Sequence, residues 1–198
     1  MNDIIRQQLE DGAAVLGRMA ETLADPTAAA ADLLIQALRA GRRIYVCGDG
    51  GSAAEAQHFA GEMVGRFLVD RPPLPCVALT TDTSVLTAVA NDYSFEQVFE
   101  RQAEALLAEG DVLVALSTSG SSANVLKAAV LARRRGAKVL GLTGATGGQL
   151  KALSDGCLCV PAEATPRVQE GHLALLHALA LVLERALFAQ PTDQPRKE

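Results

Sequence analysis

Five short apolar runs punctuate the chain, at Ile44–Cys47, Cys76–Leu79, Val112–Leu116, Lys138–Leu142 and Cys157–Val160. Between them lie longer stretches whose apolar residues recur at helical spacing. Short apolar runs bounded by turn residues suit strands covered on both faces, and their alternation with helices predicts a doubly wound α/β sheet: five parallel strands flanked by helices. No repeat with a clean period is present.

Residues 3–24 read as a first helix, with Leu9, Leu16 and Leu23 at intervals of seven and Ile5 and Met19 on an adjoining line. That seam is too short for a free coiled coil. It suits packing either on its own domain or on another subunit. Asp25-Pro26 predicts the next helix start, with the acid at the N-cap and proline at the first position; Leu33, Leu34 and Leu38 carry it to a stop at Gly41. Thr80–Ser84 reads as a polar turn, and a short helix over Val85–Ala90 ends in the cluster Asn91-Asp92-Tyr93. Phe95, Val98, Phe99, Ala103 and Leu106 mark the next helix, and Thr165–Leu187 the last. The expected organisation is a helical segment over 1–41, the α/β domain over 42–189, and a polar, proline-bearing disordered tail over 190–198.

Composition narrows the class. A formal net charge of −5 argues against a dedicated nucleic-acid binder. Arg133, Arg134 and Arg135 close a helix, where cations complement the dipole. The N-terminal stretch is too polar for a signal peptide, and no apolar run reads as a membrane span, so a cytoplasmic protein is expected. Cys47, Cys76, Cys157 and Cys159 all fall in expected strands without metal-type pairing, and read as reduced core thiols.

Three stretches carry candidate chemistry. After the first strand, Gly48, Asp49, Gly50 and Gly51 form a tight loop that brings backbone close to a ligand. Ser52, expected at the N-cap of the following helix, adds a hydroxyl where free N–H groups and the dipole favour an anion. That helix carries His58 and Glu62 one turn apart on one face, good ligand geometry for zinc. After the third strand, Ser117-Thr118-Ser119-Gly120-Ser121-Ser122 packs five hydroxyls between strand and helix, where open parallel sheets bind ligands. Hydroxyls and helix-start N–H groups hold a phosphate without a lysine. The last helix sets Gln169, His172 and His177 into a dense leucine face; a histidine there is more often a core residue than a catalyst.

Together the blocks GDGGSAAEAQHFAGEMVGRF, ALTTDTSVLTAVANDYSFEQVF, GDVLVALSTSGSSANVLKA and VQEGHLALLHALALVLE resemble the sugar isomerase (SIS) domain family, within it the members that isomerise a phosphorylated seven-carbon sugar. The resemblance implies that Ser52, Ser117, Thr118, Ser119 and Ser122 hold the phosphate, and that Gly50, Gly51, Asn91, Asp92 and Gln169 contact the sugar. It implies a zinc site from His58, Glu62, Gln169 and His177, and interconversion of sedoheptulose 7-phosphate with D-glycero-D-manno-heptose 7-phosphate. Other readings are a non-enzymatic SIS protein that binds a replication initiator, and an isomerase or sensor for another sugar phosphate. The family loop is usually Gly-Asn-Gly-Gly-Ser; Asp49 departs from it, as a carboxylate that either repels the phosphate or accepts hydrogen bonds from sugar hydroxyls.

Aldose–ketose isomerisation needs a base near carbon, an acid near oxygen and stabilisation of the enediolate. Glu62 and His177 are the expected acid/base pair, with the carbon proton left unassigned between them. Gln169 and His177 stand eight residues apart, about 12 Å along one helix axis. One ion is reached by both only if the side chains lean together or come from different subunits. An active site shared across a homo-oligomer is therefore expected, a tetramer by resemblance, with the N-terminal helices packing in the oligomer.

Overall fold

The computed structural model describes residues 1–188; the tail expected over 190–198 lies outside the described residues. Two helices, α1 (Asn2–Thr22) and α2 (Ala24–Arg39), lead into β1 (Ile44–Cys47) and α3 (Gly51–Val64). Then come β2 (Cys76–Ala78), α4 (Thr83–Asp92), a 3₁₀ turn (Phe95–Gln97), α5 (Val98–Leu106) and β3 (Val112–Ser117). The chain continues through α6 (Ala123–Arg134), β4 (Lys138–Thr143), α7 (Gly148–Leu153), β5 (Gly156–Cys159) and α8 (Thr165–Phe188).

All five strands pair in parallel in the order β2-β1-β3-β4-β5. Every residue of β1 and β3 is buried, as double coverage requires. One face is covered by residues of α1, α2, α3 and α8, among them Leu34, Phe59, Met63, Leu176 and Leu183. The other is covered by α5 and α6, through Phe99, Ala103, Val125 and Ala128, with Leu150 from α7. From β1 the chain crosses to β2 on one side, whereas β3, β4 and β5 advance on the other. The loops after β1 and β3 therefore meet at the switch point, where open α/β sheets bind ligands.

Several expectations are corrected. Asp25 is not an N-cap: α2 begins at Ala24 with Leu23 before it, and the Thr27 N–H already bonds the Leu23 carbonyl. The turn of α1 runs almost directly into α2, and Pro26 is tolerated because first-turn residues need no intrahelical acceptor. Residues 83 and 84, expected in a turn, open α4, whose N-cap Asp82 accepts the Val85 N–H at 3.0 Å. The turn after β4 runs into a short helix, α7. Only Cys47 and Cys76 are fully buried; Cys157 and Cys159, on edge strand β5, are half-buried. Finally, α8 is long and apolar enough by composition to cross a membrane. Here it is a core helix, and it buries His172 and Glu184 along with its leucines.

Candidate active site

The loop after β1 is shaped by close approach. Gly50 takes φ +56°, in the left-handed region that glycine alone adopts cheaply, and is the N-cap of α3. Ser52, expected at that cap, lies two residues inside the helix; it is buried, and its N–H bonds the Asp49 carbonyl at 3.0 Å. The Gln169 side chain from α8 lies flat on Gly51, where a Cβ would come within 2.7 Å of its Oε1.

The serine loop after β3 folds on itself. Ser117 Oγ lies 2.8 Å from Ser122 Oγ and 3.4 Å from Ser119 Oγ, and Ser119 Oγ accepts the Ser121 N–H at 3.1 Å. Ser122 is the N-cap of α6, so Ser117, Thr118, Ser119 and Ser122 surround a helix start. The loop is braced from behind. Gly144 N–H donates to the Thr118 carbonyl, Leu150 N–H donates to the Gly120 carbonyl, and Gly120 (φ +64°) packs on the Gly147 backbone with no room for a Cβ. Asn124 ties the two loops together. Its Nδ2–H donates to Asp49 Oδ1 at 2.7 Å, while its Oδ1 accepts the Val125 N–H at 2.9 Å.

Helix α3, which starts in the first of these loops, packs against α8, which follows β5, and their facing residues converge. His58 Nε2 lies 2.8 Å from His177 Nε2 and 3.3 Å from Glu62 Oε1. Ligand atoms of His58, Glu62 and His177 all lie within 4.8 Å of one another. The Phe67 ring stacks on His177 with centroids 5.7 Å apart. Two imidazole nitrogens and a carboxylate oxygen form a donor set suited to a divalent ion with a position left open. The same groups suit proton transfer at adjacent atoms. The Gln169 amide, on the same helix as His177, is seated on Gly51.

His172 is not in the cluster. It is fully buried, with Nδ1 3.6 Å from Glu55 Oε2, an ion-pair distance that links α8 to α3. Asn91 and Asp92 end α4, exposed and bonded to each other at 2.8 Å. Among the described residues no hydrogen bond joins them to either loop or to the cluster.

The sequence reading missed the support behind His177. Glu184, a lone acid in the leucine face of α8, accepts the backbone N–H groups of Phe67, Leu68 and Val69 and the Nε–H of Arg71. Arg71 also donates to the Glu62 and Met63 carbonyls. Burial alone would raise the Glu184 carboxyl, but these donors outweigh it and hold it below the usual carboxylate range. The network fixes the segment that presents Phe67 to His177. An acid among leucines was the available signal.

A family model described as SIS domain matches residues 8–144. The chain is 48% identical over 188 residues to the phosphoheptose isomerase of Trichlorobacter lovleyi, covering 95% of this chain and 96% of that one. Among solved structures it is similar to the phosphoheptose isomerase GmhA of Neisseria gonorrhoeae, with TM-score 0.88, 43% identity and coverage of 92% and 98%. The phosphoheptose isomerase of Francisella tularensis superposes with TM-score 0.89 at 36% identity, covering 92% of this chain and 97% of that one.

Proposed function

The chain belongs to the SIS domain family, and we propose that it acts as a phosphoheptose isomerase, interconverting sedoheptulose 7-phosphate and D-glycero-D-manno-heptose 7-phosphate in heptose biosynthesis for lipopolysaccharide. The observation that carries this reading is the convergence of Glu62 and His177, from separate helices, on one cluster beside two loops fit for a phosphate.

Ser117, Thr118, Ser119 and Ser122, with Ser52 across the crevice, hold the phosphate against the N-termini of α6 and α3. This anchoring does no chemistry; it holds the reactive end of the sugar still. Ser52 and His58 are six residues apart, about 9 Å along the α3 axis, of the order of an extended seven-carbon chain. Gln169, Gly50 and Gly51 line the path between. Asn91 and Asp92 join the sugar contacts when a neighbouring subunit brings α4 to the crevice.

At the reactive end, one of Glu62 and His177 takes the proton from carbon and the other serves the C1 and C2 oxygens. The proton returns to the adjacent carbon, which turns aldose into ketose without net loss of atoms. His58, Glu62 and His177, with Gln169 as the family resemblance implies, would hold a zinc ion, which when bound would supply Lewis-acid stabilisation of negative charge on the substrate oxygens. The His58 side chain is 41% exposed in the single chain, too open for chemistry that must exclude water. That openness supports a homo-oligomer, a tetramer by likeness to the family, whose subunits close each other's sites in the cytoplasm.

Incubating the purified protein with sedoheptulose 7-phosphate, before and after chelator treatment, tests the assignment. Turnover to the aldose is expected. No turnover at any metal loading would remove the isomerase.

A further inference from the structure

Cys157 and Cys159 play no part in the chemistry above, and they differ from the other two cysteines. Cys47 and Cys76 are fully buried and isolated, and burial pushes the Cys76 thiol up to about 12. Cys157 and Cys159 stand two apart on β5, so both side chains leave the same face of an edge strand. Their Sγ atoms lie 3.7 Å apart, and both residues are partly exposed. Thr143 Oγ1, on neighbouring β4, is 3.4 Å from Cys159 Sγ and 3.7 Å from Cys157 Sγ while donating to the Gly144 carbonyl.

Three chemical uses of such a pair can be compared. A disulfide would close the sulfurs to about 2.05 Å, with Cα atoms at the far end of the range such bonds span. It would also need an oxidant. A divalent cation needs both thiols ionised. Burial pushes the Cys157 thiol up to about 12, with Cys159 adding to the rise and the Thr143 hydroxyl and Lys151 opposing it, so proton release at neutral pH is costly. A trivalent arsenical avoids both demands. R–As=O + 2 R′SH → R–As(SR′)₂ + H₂O forms two As–S bonds, breaks two S–H bonds and carries both protons and the oxygen away as water. Arsenic stays trivalent, and no base or oxidant is consumed.

We propose that Cys157 and Cys159 form a bidentate dithiol site for trivalent arsenicals, in which one arsenic atom bridges two sulfurs already held side by side. The site lies on the α7 side of the sheet edge, apart from the His58, Glu62 and His177 cluster, and its existence is independent of the catalytic assignment.

Phenylarsine oxide is the probe. Native protein treated with one equivalent is expected to gain the mass of one phenylarsine oxide less one water per chain, by intact mass. The adduct should be stripped by 2,3-dimercaptopropanol and survive an equal concentration of a monothiol. C157S and C159S should each weaken retention by roughly 10²-fold or more, because the second bond is then no longer intramolecular. If either variant fails to fold, mapping of the wild type replaces it: the arsenical should protect Cys157 and Cys159, and neither Cys47 nor Cys76, from iodoacetamide. No adduct on the native chain, undiminished retention in either variant, or protection confined to Cys47 and Cys76 would overturn the proposal.

Discussion

Nε2 of His58 and Nε2 of His177 face each other at 2.8 Å across 119 residues of sequence. A hydrogen bond there requires opposite tautomers, one ring donating and the other accepting. An ion in the cluster would instead draw on both lone pairs, with the Glu62 carboxylate as third ligand. Removing one direct ligand should exceed the 10- to 100-fold cost of losing a group behind a ligand. H58A is therefore expected to lower zinc affinity by at least about 100-fold, read by calorimetric titration of the chelator-stripped protein. Unchanged affinity would place the ion elsewhere.

Glu62 and His177 should separate from the phosphate loops kinetically. E62Q and H177N keep shape but remove both proton transfer and a candidate metal ligand, so with zinc held at saturation kcat should fall by roughly 10²- to 10⁴-fold with little change in KM. S119A leaves the chemistry intact and should act mainly on KM. Steady-state kinetics with sedoheptulose 7-phosphate makes the comparison, and a pure KM effect in H177N would count against its role in proton transfer.

Asp49 is bonded to Asn124 and has no Lys or Arg at ion-pair distance among the described residues. Its charge sits next to the start of α6, in competition with a bound phosphate for the same positive potential. D49N retains an oxygen for Asn124 and removes the charge. At this partly screened separation the gain is on the order of 1 kcal/mol, or about five- to tenfold. Inorganic phosphate should become a correspondingly better competitive inhibitor of D49N. A weaker sugar phosphate KM with phosphate inhibition unchanged would instead make Asp49 an acceptor for sugar hydroxyls.

The parts of this site legible in the sequence are those set by local chemistry. The β1 and β3 runs, the Gly50-Gly51 turn and the hydroxyl-rich stretch after Leu116 each announce themselves within a few residues. His58 and Glu62 share a helix face by spacing alone. The pairing of His177 with His58 depends on the register of α3 against α8, which nothing local encodes, so it came only from resemblance. The Arg71–Glu184 network was missed for the same reason. Four donors on one carboxylate come from residues over 110 positions away, and a lone acid in a leucine stripe does not name its partners. Ser52 was misplaced by two residues because Gly50, with its positive φ, takes the cap.

That network should dominate acid stability. Arg71 and Glu184 are almost fully buried, so truncating one strands the other; E184A should cost about 3–5 kcal/mol. The folded Glu184 carboxyl lies below its ordinary 4.5. Its stabilisation is therefore complete above that value and is lost as pH falls from about 4.5 through the lower folded value. Thermal melts between pH 6 and 3 should show wild type losing stability more steeply in this window than E184Q. Parallel curves would mean that Glu184 does not set the acid limb.

The exposed stripe on α1 bears on assembly. Val15, Met19 and Leu23 turn inward, but Ile4, Ile5 and Leu9 are 71%, 54% and 70% exposed, and Leu16 is 43% exposed. An apolar cleft beside them is lined by Leu16, Leu23, Leu175 and Val182. A run of that kind on one helix is more apolar surface than a lone chain usually leaves in water. Burying each such side chain is worth about 1.5–3 kcal/mol, and a two-fold interface counts each one twice. If α1 forms the interface of the proposed oligomer, the double substitution I5D/L9D should shift the protein to smaller species by light scattering. It should also lower activity, because the cluster holding half-open His58 would lose its cover. If I5D/L9D keeps the wild-type mass, α1 is not the interface; if it dissociates with full activity, the site is complete within one chain.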